Sequence, residues 1–145
     1  MAKSGRSRSA FEITGGGFVA TGKDEAAVAK AMEVVRGRIA FYGSTPAYWP
    51  VLELHGLGDL GRELNAMSKA GKWVEMAARV PDDLVHLFAA VGTHAQIVDA
   101  IRRRFGMVDA INLRADPQTG GDVPPDLIQE IRRIPVTFAG YRTEW

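Results

Sequence analysis

The stretch from Arg38 to Leu57, RIAFYGSTPAYWPVLELHGL, decides the fold of this chain, because its placement of aromatic, proline and glycine residues is too unusual for a generic core segment. Thr45 followed by Pro46 satisfies two rules for a helix start, a capping side chain and proline at the first helical position. Pro50 then either makes the first turn irregular or starts the regular helix itself, which would run to His55.

A strand and its covering helix are predicted before this stretch. Phe11 to Thr21, FEITGGGFVAT, predicts a strand interrupted by three glycines, which weaken a strand or mark close backbone approach. Lys23 to Tyr42 follows as a long helix whose apolar residues keep three- and four-residue spacing. The glycines do not indicate a phosphate-binding loop, because the pattern GxxxxGK[ST] is absent.

The rest of the chain predicts mostly helices and one further strand. The predicted helices cover Asp59 to Lys69, Gly71 to Arg79, Pro81 to Ala90, Ala95 to Phe105 (capped by Gly92 and Thr93) and Pro124 to Arg133. Val108 to Arg114 predicts the second strand, and Asp116 to Val123 a loop by composition. Residues 134–145 have no clear pattern.

The charge balance argues against a nucleic-acid partner. The chain has 18 Lys and Arg against 17 Asp and Glu, for a net charge of +1. A dedicated nucleic-acid binder carries a strong positive potential. The local basic groups are Lys3, Arg6 and Arg8 and the run Arg102 to Arg104, which we interpret as the solvated side of an amphipathic helix.

Other sites are excluded by composition. The chain has no cysteine, which excludes disulfides, Cys-ligated zinc and thiol nucleophiles and agrees with a cytoplasmic location. No window approaches the roughly 18 apolar residues of a membrane span, so no membrane partner is predicted. No HExxH pattern or His cluster predicts a metal site.

Two segments carry a resemblance to a known family. GSTPAYWPVLELHG, residues 43–56, resembles the luciferase-like monooxygenase superfamily and, within it, the branch of oxidoreductases that depend on the deazaflavin coenzyme F-420. VGTHAQIVDAIRRRFGMVDAINL, residues 91–113, is similar to the superfamily's Gly-Thr, amphipathic helix and strand pattern. It departs at His94 and Ala95, where the family commonly has Pro and Glu.

The resemblance implies an α/β fold. Residues from about Lys3 to Arg133 look like the C-terminal part of an eight-stranded (β/α)8 TIM-type barrel with a late helical insertion. Such a barrel takes about 250 residues, so residues 1–145 are too few to close one. We interpret them as a single domain or a fragment, with a poorly assigned tail over 134–145. Open strand edges need a neighbour, so we expect a homo-oligomer or a complementing N-terminal barrel fragment.

The resemblance also implies an activity, hydride transfer between coenzyme F-420 and a small organic substrate, with flavin mononucleotide as the alternative cofactor. Family barrels hold the deazaflavin largely on loops of earlier strands, which this chain lacks, so the isolated chain is expected to bind it weakly or not at all. The alternative hypothesis is a non-catalytic interaction or oligomerisation protein derived from the barrel.

The resemblance implies that the insertion borders the barrel mouth at the carboxyl ends of the strands. Three residues of the insertion are the candidates for a substrate pocket. Tyr48 and Trp49 either form an aromatic wall over a flat ring system or pack the insertion onto the barrel. His55 either faces the pocket and exchanges a proton or interacts with free carbonyls at a helix end. The sequence assigns no catalytic, cofactor-binding or metal-binding residue.

Overall fold

The computed structural model describes residues 5–15, 17–113 and 123–140. Within these residues the four strands are β1 (Thr14–Gly15), β2 (Phe18–Gly22), β3 (Ala89–Thr93) and β4 (Ala110–Ile111). The helices are α1 (Glu25–Gly43), α2 (Trp49–Glu53), α3 (Gly58–Lys69), α4 (Trp73–Ala77), α5 (Asp82–Phe88), α6 (Ile97–Phe105) and α7 (Pro125–Arg132). Short 3-10 turns cover Arg8–Ala10 and Pro46–Tyr48. Predictions on Lys3, Arg114, nearly all of the 116–123 loop and residues 141–145 lie outside the described residues.

The predicted first strand is two short strands separated by its glycines. β1 pairs in parallel with β4, and β2 pairs in parallel with β3 in the register Phe18 to Ala89 through Gly22 to Thr93. A Cβ on Gly17 would lie 2.3 Å from the ring of Phe105, so the glycine is required by the close approach of α6.

The strand β3 is missed by the sequence prediction, which continues a helix to Ala90 and uses Gly92 and Thr93 as a helix cap. The helix α5 instead ends at Phe88, and Ala89 already has extended backbone. Alanine favours helices, but pairing with β2 buries both Ala89 and Ala90. Tertiary pairing therefore overrides the local propensity.

The helix α1 is the longest element and runs antiparallel to β2. Asp24 caps its first turn by accepting a 2.8 Å hydrogen bond from the N–H of Ala27. The first turn of α1 lies against the end of β2, because a Cβ added to Gly22 would meet Ala27. The last turn of α1 lies at the start of β2, where the rings of Tyr42 and Phe18 pack with centroids 6.0 Å apart.

The two faces of the β2–β3 pair are buried against different helices. Ala20 and Ala89 belong to a first core with α1, whereas Val19 and Ala90 contribute to a second core with α6. The first core also contains the buried residues Ala31, Val35, Ile39, Ala40, Leu64, Met76, Val80, Leu84 and Val85, and the second contains Ile97, Ala100, Ile101 and Leu127.

The α/β class and the failure to close a barrel are confirmed: the described strands form two separate two-stranded parallel sheets. In a closed (β/α)8 barrel the helices form one outer ring. Here α1, which follows β2, and α6, which follows β3, cover opposite faces of β2 and β3. The described part of the chain thus forms a local three-layer arrangement.

A buried carboxylate ties the two ends of the described chain together. One oxygen of Asp109 accepts from the Ile13 N–H (2.8 Å) and the Arg8 guanidinium (2.7 Å), and the other from the N–H groups of Thr137 (3.0 Å) and Phe138 (2.9 Å). The Asp109 side chain is only 2% exposed. This single side chain fixes the N-terminal segment and the start of the tail beside β4.

Candidate functional site

The helical insertion, residues 44–80, lies at the amino ends of β2 and β3. Because α1 runs antiparallel to β2, its last residue, Gly43, returns the chain to the edge where β2 begins. The resemblance placed this insertion beside the carboxyl ends of the strands, where (β/α)8 enzymes carry their active sites. The described structure therefore corrects the position of the insertion.

Tyr48 lines a groove of about 440 Å³ at this amino edge. Its ring packs edge-to-face on Tyr42, with centroids 5.4 Å apart, and 47% of the residue is exposed. The rest of the aromatic lining comes from Phe18 and Phe88. These rings give the groove the apolar, flat walls that bind planar groups.

Trp49 turns away from this groove. Its indole N–H donates a 3.1 Å hydrogen bond to the carbonyl of Gly43 at the end of α1. Its ring covers Gly61 of α3, where an added Cβ would come within 2.8 Å of the Trp49 Cδ1. The contacts of Trp49 join α1, α2 and α3.

His55 lies in the exposed turn after α2. Its backbone N–H donates to the carbonyl of Leu52 (3.0 Å), and its imidazole packs edge-to-face on Phe88, with centroids 5.9 Å apart. Phe88 thus has His55 against its ring and also lines the groove of Tyr48. The structure brings Tyr48 and His55 to the neighbourhood of one ring and leaves Trp49 outside it.

The sequence candidates did not include the other aromatic residues of the lining, Phe18, Tyr42 and Phe88, or its charged residue, Arg104. In the sequence, Phe18 was only an apolar position of a predicted strand and Tyr42 only an apolar position of a predicted helix. Arg104 was assigned to a solvated face, and its guanidinium donates to the carbonyl of Leu87 while lying 5.7 Å from the Phe105 ring centroid. The sequence contains no short-range signal that joins these residues, because four separate elements, β2, α1, α5 and α6, contribute them.

The carboxyl ends of β2 and β3 carry a different set of groups. The His94 N–H donates to the carbonyl of Gly22 (2.9 Å), and the side-chain oxygen of Gln96 accepts from the Thr93 N–H (3.0 Å). The hydroxyl oxygen of Thr21 is buried and has no hydrogen-bond partner among the described residues. A buried hydroxyl without a partner is energetically unfavourable.

The groups at this end do not fit a deazaflavin on their own. The segments 21–24 and 93–96 contain no Phe, Tyr or Trp to stack on its ring system. Their one buried polar side-chain atom without a partner among the described residues, the Thr21 hydroxyl oxygen, is already enclosed. A cofactor at this end would need a stacking group from outside these two segments.

No metal or membrane feature is found in the parts that the structure describes. Within residues 5–15, 17–113 and 123–140, no three His, Asp or Glu side chains form a group able to hold a metal ion. Over the same residues, no helix has both the length and the hydropathy to cross a membrane.

Comparison with known proteins adds the family context. The sequence profile described as luciferase-like monooxygenase matches residues 1–110. An uncharacterized protein of Mycobacterium tuberculosis (strain H37Rv) is 49% identical over 112 residues, which are 77% of this chain and 33% of that protein. A protein of Mycobacterium bovis matches with the same values.

A more distant relative has a named activity. The 5,10-methylenetetrahydromethanopterin reductase of Archaeoglobus fulgidus is 27% identical over 143 residues, covering 92% of this chain and 39% of the reductase. No solved structure matches. The chain spans about a third of the length of the mycobacterial relatives.

Proposed function

The chain belongs to the luciferase-like monooxygenase family, and from this premise we propose that it is the C-terminal part of a deazaflavin-dependent oxidoreductase with a (β/α)8 barrel. The observation that carries the proposal is the family match over residues 1–110. The family is described as a monooxygenase family, and the Archaeoglobus relative is named a reductase. Both words denote oxidoreductases.

The proposed chemistry is hydride transfer between coenzyme F-420 and a small organic substrate, with flavin mononucleotide as the alternative cofactor. The choice of the deazaflavin rests on the resemblance of residues 43–56 to the F-420 branch. When bound, the deazaflavin supplies the hydride acceptor or donor. Because the described residues offer no stacking platform at the carboxyl ends of β2 and β3, the rest of the barrel must supply most of its site.

Within this proposal, Tyr48, Trp49 and His55 remain the substrate-pocket hypothesis, and their environments differ. Tyr48 favours the hypothesis through its half-exposed ring in the aromatic groove, and His55 through its exposed imidazole beside Phe88. The groove lies at the amino ends of β2 and β3, opposite the edge where a barrel enzyme binds its cofactor, and this position weighs against the hypothesis. Trp49 supports the packing alternative, because both its N–H and its ring contact neighbouring helices.

The test compares the isolated chain with a completed protein. In the completed protein, this chain replaces the matched segment of the Mycobacterium tuberculosis relative, at 49% identity. Each purified protein is titrated with coenzyme F-420 and with flavin mononucleotide, followed by fluorescence. We expect weak or no binding to the isolated chain and saturable, F-420-selective binding to the folded chimera. Selective binding of flavin mononucleotide, or of neither cofactor, would reject the deazaflavin proposal.

A second candidate function is a non-catalytic interaction or oligomerisation protein. It is favoured by large apolar side chains that remain exposed, such as Phe41 at 55% and Trp73 at 54%. Size-exclusion chromatography with light scattering tests it on the isolated chain. A folded monomer over a wide concentration range would count against self-association.

A further inference from the structure

The aromatic groove at the amino ends of β2 and β3 has the size and walls of a site for a planar molecule. Its volume of about 440 Å³ lies within the range of about 300 to 1,000 Å³ that small-molecule sites occupy. Tyr42 packs against Phe18 at an interplanar angle of 40° and against Tyr48 at 87°, and the ring of Phe88 belongs to the same lining. Rings set at different angles offer both faces and edges to a flat ligand.

The apolar surface of this groove is open to a ligand. Tyr42, Tyr48 and Val51 all line the groove, and each is nearly half exposed. Contiguous exposed apolar surface marks interaction sites in soluble proteins. Because several elements from β2 to α6 contribute lining residues, the surface is concave, which suits a small molecule.

Arg104 supplies the charge of the groove. The other residues of the described lining are glycine, aliphatic or aromatic. The Arg104 guanidinium is held beside the groove by a hydrogen bond to the carbonyl of Leu87 and by the ring of Phe105. Among the described residues, no carboxylate forms an ion pair with Arg104. Since a guanidinium carries five N–H donors, several remain for an anionic group of a ligand.

The groove is separate from the edge at which barrel enzymes carry out their chemistry. Phe18 lines the groove at the start of β2, and Gly22 ends the same strand about 13 Å away, at about 3.3 Å per residue. Active sites of (β/α)8 enzymes lie at the carboxyl ends of the strands. A small ligand in the groove therefore lies away from the proposed reaction.

We propose that this groove is a binding site for a small planar aromatic anion, separate from the site of hydride transfer. The rings hold the flat body of the ligand, and Arg104 binds its anionic group. This assignment takes Tyr48 out of the substrate pocket and gives it a ligand that does not react. It does not rest on the proposed function, because every lining residue belongs to this chain.

The experiment measures the binding of two matched probes to the full chain by isothermal titration calorimetry. 2-Naphthoate is a planar bicyclic anion, and 2-naphthamide has the same ring system without the charge. Arg104→Gln removes the charge of the groove, and Arg103→Gln removes the neighbouring charge on α6, which lies outside the lining. Circular dichroism establishes that each variant is folded.

We expect one saturable site for 2-naphthoate and an affinity for 2-naphthamide about tenfold lower, because hydrogen bonds to a charged group are the stronger ones. Arg104→Gln should weaken the binding of 2-naphthoate about tenfold and that of 2-naphthamide less than about twofold. Arg103→Gln should change the affinity for either probe by less than about twofold.

A second pair of variants tests the aromatic wall. Tyr48→Ala should weaken the binding of both probes about tenfold, because the ring contact is lost whether or not the probe is charged. Trp73→Ala removes an exposed aromatic residue outside the lining and should change either affinity by less than about twofold. Equal effects of these two variants would overturn the proposal.

The other outcomes also decide. Absence of saturable 2-naphthoate binding, equal weakening by Arg103→Gln and Arg104→Gln, or equally tight binding of the flexible anion decanoate overturns the proposal. Displacement of 2-naphthoate by coenzyme F-420 in the isolated chain overturns the separation of the two sites. If Arg104→Gln does not fold, the two probes on the unaltered chain decide, since equal affinities overturn the role of the charge. F-420 binding by the chimera tests the proposed function independently of these results.

Discussion

Asp109 is the side chain with the most unusual electrostatic environment among the described residues. Burial tends to raise the pKa of Asp109, but three backbone N–H donors, that of Ile13 foremost, and the Arg8 guanidinium outweigh it and lower the pKa to about 2. Hydrogen bonds to an ionised carboxylate favour the charged form. The ionised Asp109 is therefore part of what holds the N-terminal segment and residues 137–138 in place.

The first prediction concerns acid stability. Since the folded pKa of Asp109 lies below its unfolded value, its contribution is fully present above the unfolded pKa and is lost as the pH falls from about 4 towards 2. Asp109→Asn should lower the urea midpoint at pH 7 and reduce the loss of stability between pH 4 and pH 2. Asp59→Asn, which removes an exposed pair with Arg62 and one acidic side chain from the first turn of α3, is the control and should change both much less.

The second prediction separates the two interpretations of Trp49. Trp49→Phe keeps an aromatic ring over Gly61 but removes the N–H that bonds the Gly43 carbonyl, which should cost about 1 kcal/mol of unfolding free energy. His55→Ala, at an exposed position, should change it by less than about 0.5 kcal/mol. Denaturant unfolding of both variants measures the difference. Equal stability of the two variants would contradict a packing role for Trp49.

At the scale of elements, two helix glycines make a matched pair. An added Cβ at Gly37 of α1 meets nothing within 4 Å, whereas at Gly61 of α3 it meets the Trp49 ring at 2.8 Å. Gly37→Ala should therefore raise the unfolding free energy of the isolated chain by about 1 kcal/mol, the difference in helix propensity. Gly61→Ala should lower it, because the ring must shift from its contact. Thermal unfolding that shows the same sign for both would contradict the packing at Gly61.

Local signals predicted the helices better than the strands. The apolar stripe from Val28 to Ile39 lies within α1, and the predicted helix, Lys23 to Tyr42, differs from α1 by two residues at the start and one at the end. β3 was missed because Ala89 and Ala90 favour a helix locally and become a strand only by pairing with β2, some 70 residues earlier in the chain. Strand pairing is a long-range property that no window of sequence contains.

The candidate site shows the same limit. Tyr48 could be proposed from the aromatic run in which it lies, but the groove it lines also takes Phe18 from β2 and Phe88 from the end of α5. The groove lies at the amino ends of the strands because α1 runs antiparallel to β2 and ends there. The resemblance identified the family but did not give the edge of the strands at which the groove lies.

At the scale of the whole molecule, β2 and β3 belong to both cores. Alternate residues of each strand point to opposite faces, so Ala20 and Ala89 pack with α1 while Val19 and Ala90 pack with α6. A two-stranded sheet has little stability of its own. The stability of the core between the strands and α1 therefore depends on the packing of α6 on the opposite face, and the reverse also holds.

The last prediction follows from this dependence. Leu64→Ala in the first core and Ile97→Ala in the second remove side chains with no exposed surface, and each should cost about 2 to 5 kcal/mol. Val74→Ala, at a residue 86% exposed, is the control and should cost less than about 0.5 kcal/mol. Because the two cores share both strands, Ile97→Ala should accelerate amide hydrogen exchange in α1 as much as in α6, and unfolding should stay a single transition by fluorescence and circular dichroism. Faster exchange confined to α6 and α7, with α1 unaffected, would show instead that the second core opens independently and that β2 and β3 are held by α1 alone.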